Sequence, residues 1–242
     1  MTEEKPVKKP TTRRTTAAKK SKITLTKTAT ENLKNGIKKF TKIVEIATDR
    51  NLNESDTSNI INDMLGEMLG YDKFFDVTTE YKIKGQFADY GVKVDDKLKF
   101  LIEVKAVGIN LNDNHIFQAA SYASTEGVEW VILTNLREWN VYHLSFGSRI
   151  DQDLVLSLNF ADAKTTGFAE NFAYLHKEAI KKNLIKDLWN QRIAMSGNNF
   201  KKVLTSSPVL KVIQRELVKA SGVKVGEADI AQMLGELINF DK

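Results

Sequence analysis

Ala88-Asp89-Tyr90 and the later run Leu101-Ile102-Glu103-Val104-Lys105 contain the residue types best suited to act on a phosphodiester. Side chains alternate across a strand, so Glu103 and Lys105 leave one face while Ile102 and Val104 enter the other. An acid and an amine held together at a strand end are costly unless used or well compensated, because desolvation penalises both charges. Asp89, on an adjacent strand, can converge on the same spot. Two carboxylates with backbone and water oxygens suit Mg2+, a hard cation that prefers octahedral oxygen ligation, with Mn2+ as a substitute. Such an ion polarises a scissile phosphodiester and lowers the pKa of a bound water. Lys105 would orient or help deprotonate that water and stabilise the transition state. As bare chemistry the alternative is three charged groups riding solvated strands.

Other residues extend the set. Gln118 and Tyr122 lie at i and i+4 on a helix after the Glu103 strand, so both can face one cleft; the plainer reading is surface polarity plus one buried aromatic. Glu54 begins an earlier helix, where exposed backbone N–H groups favour an acid. Capping accounts for Glu54 or Asp56, and either could also add a distant carboxylate to the metal shell. His115, His143 and His176 are dispersed without metal-site spacing and read as structural or surface residues. With no Cys in 242 residues, thiol catalysis and cysteine-ligated metal sites are excluded.

The elements that must carry these residues follow from periodicity. Leu33, Ile37, Phe40, Val44 and Ala47 form one helical stripe, and Ile60, Ile61, Met64, Leu65, Met68 and Leu69 a second, capped by Asn53 or Ser55 and stopped at Gly70. The pattern then changes to strands over 77–84, 88–95 and 99–105, joined by short turns. A helix over 113–124 follows, then strands over 129–134 and 137–144, with 153–158 as a sixth or an edge. This order predicts an α/β domain with a mixed sheet flanked by helices. Beyond Phe160 the pattern is helical: one long amphipathic segment over 168–189, then helices over 209–220 and 227–238. The expected organisation is a disordered basic tail (1–30), an α/β domain (31–160) and a helical C-terminal region or subdomain (161–242).

The net charge of +5 sits unevenly. Residues 1–30 hold nine Lys/Arg against two acids, 51–150 hold nine against fifteen, and 164–242 hold thirteen against eight. Basic ends could hold a polyanion while the acidic centre binds a cation, although a solubilising tail and a charged helical surface explain the same numbers. The sequence contains no apolar run long enough to cross a membrane and no signal-peptide stretch, so a reducing, cytoplasmic setting is expected.

The chain resembles the N-terminal nuclease-like domain of the restriction subunit of type I restriction enzymes, and through it the PD-(D/E)XK nuclease superfamily. The likeness runs through Asn53-Glu54-Ser55-Asp56-Thr57, Met68-Leu69-Gly70-Tyr71, Phe87-Ala88-Asp89-Tyr90 and Leu101-Ile102-Glu103-Val104-Lys105-Ala106. It continues in Gln118-Ala119-Ala120-Ser121-Tyr122-Ala123, the run from Gly127 to Asn135, and Arg137-Glu138-Trp139. The resemblance implies a restriction-endonuclease-like sheet and Mg2+-dependent hydrolysis of DNA. It casts Asp89 and Glu103 as metal-binding acids, Lys105 as the motif lysine, Gln118 and Tyr122 as the polar pair of the next helix, and Glu54 as the acid of the preceding one. Ala88 stands where the motif has its proline, which removes no ligand. No phosphate-loop motif of an ATP-driven motor occurs here. The expected partners are DNA and other restriction or defence subunits, with no membrane. A homodimer fits cleavage of both strands; a nicking monomer fits the same chemistry. The competing function is a noncatalytic nucleic-acid-binding or assembly module on the same fold.

Overall fold

The structure is a computed structural model that describes residues 23–83 and 86–239. The basic segment 1–22 therefore lies outside the described residues. Helix α1 (Lys27–Asp49) starts upstream of the expected boundary at residue 30, with Ala29 already buried. Thr26 caps it by accepting from the Ala29 N–H. Its own N–H and hydroxyl both donate to the Glu178 carboxylate, at 2.9 and 2.7 Å. Ile23 and Leu25 pack against the core. Residues 23–30 thus belong to the folded body because their apolar and capping groups find distant partners.

Helix α2 (Glu54–Glu67) is capped by Asn53, whose side chain accepts from the Asp56 N–H. It lies so close to α1 that a Cβ on Gly36 would meet the Met68 side chain at 2.6 Å. Six strands follow: β1 (Val77–Ile83), β2 (Gln86–Val94), β3 (Lys97–Val104), then helix α3 (Asp113–Glu126), β4 (Trp130–Thr134), β5 (Glu138–Phe146) and β6 (Ile150–Asn159). They form one sheet in sequence order. Every pairing is antiparallel except β3–β4, which is parallel because α3 carries the chain back over one face. The mixed sheet expected from the periodicity is present, with 150–159 as a full sixth strand. On the β6 edge, Arg192 donates to the carbonyls of Leu154 and Val155, occupying acceptors that would otherwise invite another strand.

Both faces of the sheet are covered. The larger core packs Phe40, Ile61, Met64, Ile102, Val104, Trp139 and Phe172 between the sheet, α1, α2 and the segment after β6. The smaller packs Ala88, Leu101, Ile116, Ala119, Tyr122 and Val131 beneath α3. The segment expected as one helix over 168–189 is instead α4 (Phe168–Phe172), a 3-10 turn, α5 (Lys177–Lys181) and α6 (Leu184–Ala194). Two residues break it: His176 is extended and caps α5, and Asn183 adopts a left-handed conformation at φ 54°. Phe168, Phe172, Leu175, Ile180 and Ile185 enter the larger core, so this stretch is continuous with the α/β body.

The helical C-terminal region comprises α7 (Gly197–Leu204), α8 (Ser207–Ser221) and α9 (Glu227–Asn239). The short α7 has no apolar stripe long enough to stand out in the sequence and buries none of its residues. Among the described residues, no helix is long and apolar enough to cross a membrane.

Candidate active site

Strands β2 and β3 pair from Val94↔Lys97 to Tyr90↔Ile102. One step further, register would set Asp89 opposite Glu103, but the backbone ladder ends there. Instead the Val104 N–H donates to Asp89 Oδ2 at 2.6 Å. On its other side β3 continues in parallel register through Val104↔Thr134, and the Lys105 N–H donates to the Thr134 carbonyl at 2.8 Å. The backbone beyond Val104 is therefore held by β4 and by one carboxylate. Lys105 lies one residue past the strand and turns back, its Nζ 2.6 Å from Glu103 Oε1.

Of the three side chains expected to converge, Glu103 and Lys105 are in contact, and Asp89 lies near enough to act on both through its charge. Glu103 is 6% exposed, and Asp89 and Lys105 are half-buried. Burial raises the Asp89 carboxyl above the usual carboxylate range; the Val104 N–H and Lys105 oppose the shift, and the charge of Glu80 adds to it. Burial likewise raises Glu103, against the hydrogen bond from Lys105 and with help from Asp89 and Glu54. Burial works against the Lys105 ammonium, but its bond to Glu103 and the fields of Glu103, Glu54 and Asp89 outweigh that, so its pKa is raised.

Glu54 is exposed in the first turn of α2 and acts on Glu103 and Lys105 through its field. Two contacts set that helix against the strands. Asn51, at φ 47°, packs on the loop after Lys105 so tightly that a Cβ on Gly108 would meet its Oδ1 at 2.2 Å. Tyr90, next to Asp89, donates its hydroxyl to the Ser58 carbonyl at 2.7 Å and stands 2.5 Å from Ser58 Oγ. Ser58 is one turn beyond Glu54 on α2. Tyr90→Phe removes this link. It is expected to lower stability by about 1 kcal/mol in denaturant titration, and to leave the Asp89, Glu103 and Lys105 contacts intact in a crystal structure of the variant.

Gln118 lies on α3, but its side chain is outside the described residues. Tyr122 is buried in the smaller core beside Ala88 and Leu101. The histidines have packing and capping roles: His115 completes a capping box on α3, His176 caps α5, and His143 stacks on Trp189. Among the described residues, no group of three or more His, Asp or Glu side chains comes together to hold a metal ion. Glu54, Asp89 and Glu103 therefore do not form such a group in this structure.

Reading the sequence alone missed two features of the surroundings. Glu80 sits opposite Asp89, between the pairs Thr79↔Tyr90 and Tyr81↔Ala88, at φ 49°. This left-handed residue interrupts strand β1, and no glycine marks it. The turn between β4 and β5 places buried Asn135 so that its Nδ2 donates to the Ile109 carbonyl at 2.7 Å and its Oδ1 accepts from the Glu138 N–H at 2.8 Å. That turn closes over the loop following Lys105.

No curated protein matches the chain. Among solved structures, the type IIG restriction endonuclease BpuSI aligns at 17% identity with a TM-score of 0.31, covering 77% of this chain and 22% of that protein, so the chain spans about a fifth of its length. Residues 59–153, from α2 into β6 and including Asp89, Glu103 and Lys105 but not Glu54, match the family described as the type I restriction enzyme R protein N terminus.

Proposed function

We propose that this chain hydrolyses phosphodiester bonds of DNA with a divalent cation held at Asp89 and Glu103. The observation that carries the reading is the gathering of two desolvated carboxylates and one ammonium at the end of β3, with Glu54 and Glu80 adding negative field. The acids outnumber the one lysine, and both central carboxyls have raised proton affinity, caused first by their burial and added to by the neighbouring acids. Their hard oxygens suit Mg2+ or Mn2+. Asp89 and Glu103 would hold the ion, with water and substrate oxygens completing the shell. Bound there, the ion would supply Lewis-acid polarisation of the phosphodiester.

The rest of the chemistry belongs to the chain. Lys105, paired with Glu103 and protonated at neutral pH as an ordinary lysine is, would set its positive charge beside the phosphate oxygens. Asp89, anchored by the Val104 N–H, keeps one carboxylate aligned. The matched family description, the type I restriction enzyme R protein N terminus, supports a role in restriction.

The second reading is a noncatalytic DNA-binding or assembly module, favoured by the lack of a three-ligand group among the described residues. A cleavage panel of duplex, branched and single-stranded DNA with Mg2+ or Mn2+ separates the two. Cleavage that EDTA stops is expected; binding without cleavage on all three substrates would leave the module reading.

A further inference from the structure

Arg137 is the third residue of the turn between β4 and β5, after Asn135 and Leu136, both fully buried. Leu136 takes φ 72°, and the Arg137 carbonyl accepts from the Phe160 N–H at 2.8 Å. With Asn135 bonded to the Ile109 carbonyl and to the Glu138 N–H, the backbone under Arg137 is held on three sides. Its side chain is not. Nε is buried without a hydrogen-bond partner, and the ion pairs among the described residues all use other cations.

A guanidinium carries five donors in a fixed fork and cannot shed its charge. Nε is shut away from water, while the terminal nitrogens are not among the buried unpaired atoms and have no protein acceptor among the described residues, so they are open to an acceptor that arrives from outside. The chemistry that best fits a planar cationic fork is a phosphate oxygen pair, which accepts two parallel N–H bonds. Position agrees with this. The turn joins the same end of the sheet as Lys105, whose N–H is bonded to Thr134. Strands β3 and β5 are two strand spacings apart, about 10 Å. Phosphates that close together are near neighbours along one nucleic-acid strand, so one can meet Arg137 while another lies at Lys105. Lys105 itself is committed to Glu103.

We infer that Arg137 is a phosphate-binding residue that holds the DNA backbone a few nucleotides from the bond at Lys105. This rests on the proposed action on DNA but not on hydrolysis. The test measures binding of a fluorescent duplex by anisotropy in EDTA at several salt concentrations, for wild type, Arg137→Gln and Arg137→Lys, beside thermal melts of each. Arg137→Gln should weaken binding roughly fivefold to tenfold for every sequence tried and reduce the salt slope by about 1. Arg137→Lys should keep the slope and lose less affinity, since charge remains without the fork. The Gln variant should melt no lower than wild type, because no partner is lost. Unchanged affinity and slope in the Gln variant, with wild type binding DNA, would overturn the inference alone. A lowered melting point that accounts for the lost binding would make Arg137 a structural strut. Wild type that binds no DNA would remove the functional reading and this inference together.

Discussion

Lys105→Ala is expected to slow DNA cleavage by about a hundredfold to ten-thousandfold, the usual range for losing a charge that stabilises a transition state. Single-turnover cleavage at saturating DNA and Mg2+ measures it, with binding of the same duplex little changed. The substitution also strands Glu103, which is 6% exposed and has Lys105 as its cationic partner at 2.6 Å. A loss of about 1–3 kcal/mol of stability is therefore expected at neutral pH. The sign follows from the raised Lys105 pKa. A lysine that holds its proton more tightly when folded contributes stability that is complete below its unfolded pKa and disappears as pH rises through the folded one. The stability gap between wild type and variant should therefore persist across neutral pH and shrink in strong alkali. Full cleavage by a folded Lys105→Ala protein would show that the lysine is only Glu103's counter-ion.

Asp89→Asn is expected to abolish cleavage while making the fold more stable at pH 7. The amide keeps an oxygen to accept from the Val104 N–H, but it cannot offer a cation a full negative charge. Asp89 has a raised carboxyl pKa, caused first by burial. A carboxyl raised on folding contributes stability that is present below its unfolded pKa and lost as pH rises through the folded value, so the ionised group weakens the fold at neutral pH. Removing that charge should therefore raise the melting temperature at pH 7. Wild type and variant should converge below about pH 4, where both are neutral. Asp89→Ala is the less informative change, since it also strands the Val104 N–H. A melting temperature that falls at pH 7 with cleavage intact would mean that Asp89 serves as a strand clip and nothing more.

The opposite stability signs expected for these two variants follow from their settings: Asp89 is a desolvated acid whose charge costs the fold, and Lys105 is the partner of a buried acid. Cleavage measured beside stability decides whether either side chain is catalytic.

Strand alternation and residue type alone determined a good deal of this protein. They placed Asp89 and Glu103 on neighbouring strands, put α3 behind Glu103, and predicted a mixed sheet, because backbone pleat and helix pitch repeat over a few residues and leave a periodic trace. What periodicity could not carry was decided by partners far apart in the chain. Ser58 and Tyr90, separated by 32 residues, set α2 against β2. Thr26 and Glu178, 152 residues apart, bring 23–30 into the folded body. His176 and Asn183 divide a stretch whose apolar spacing reads as one helix, since capping and a left-handed turn override a weak propensity once the flanking residues are buried. The end of the β2–β3 ladder, the left-handed Glu80 and the unpartnered Arg137 likewise have no local signature. Each depends on where a neighbouring strand stops or which acceptor is within reach, and those are properties of the packed sheet.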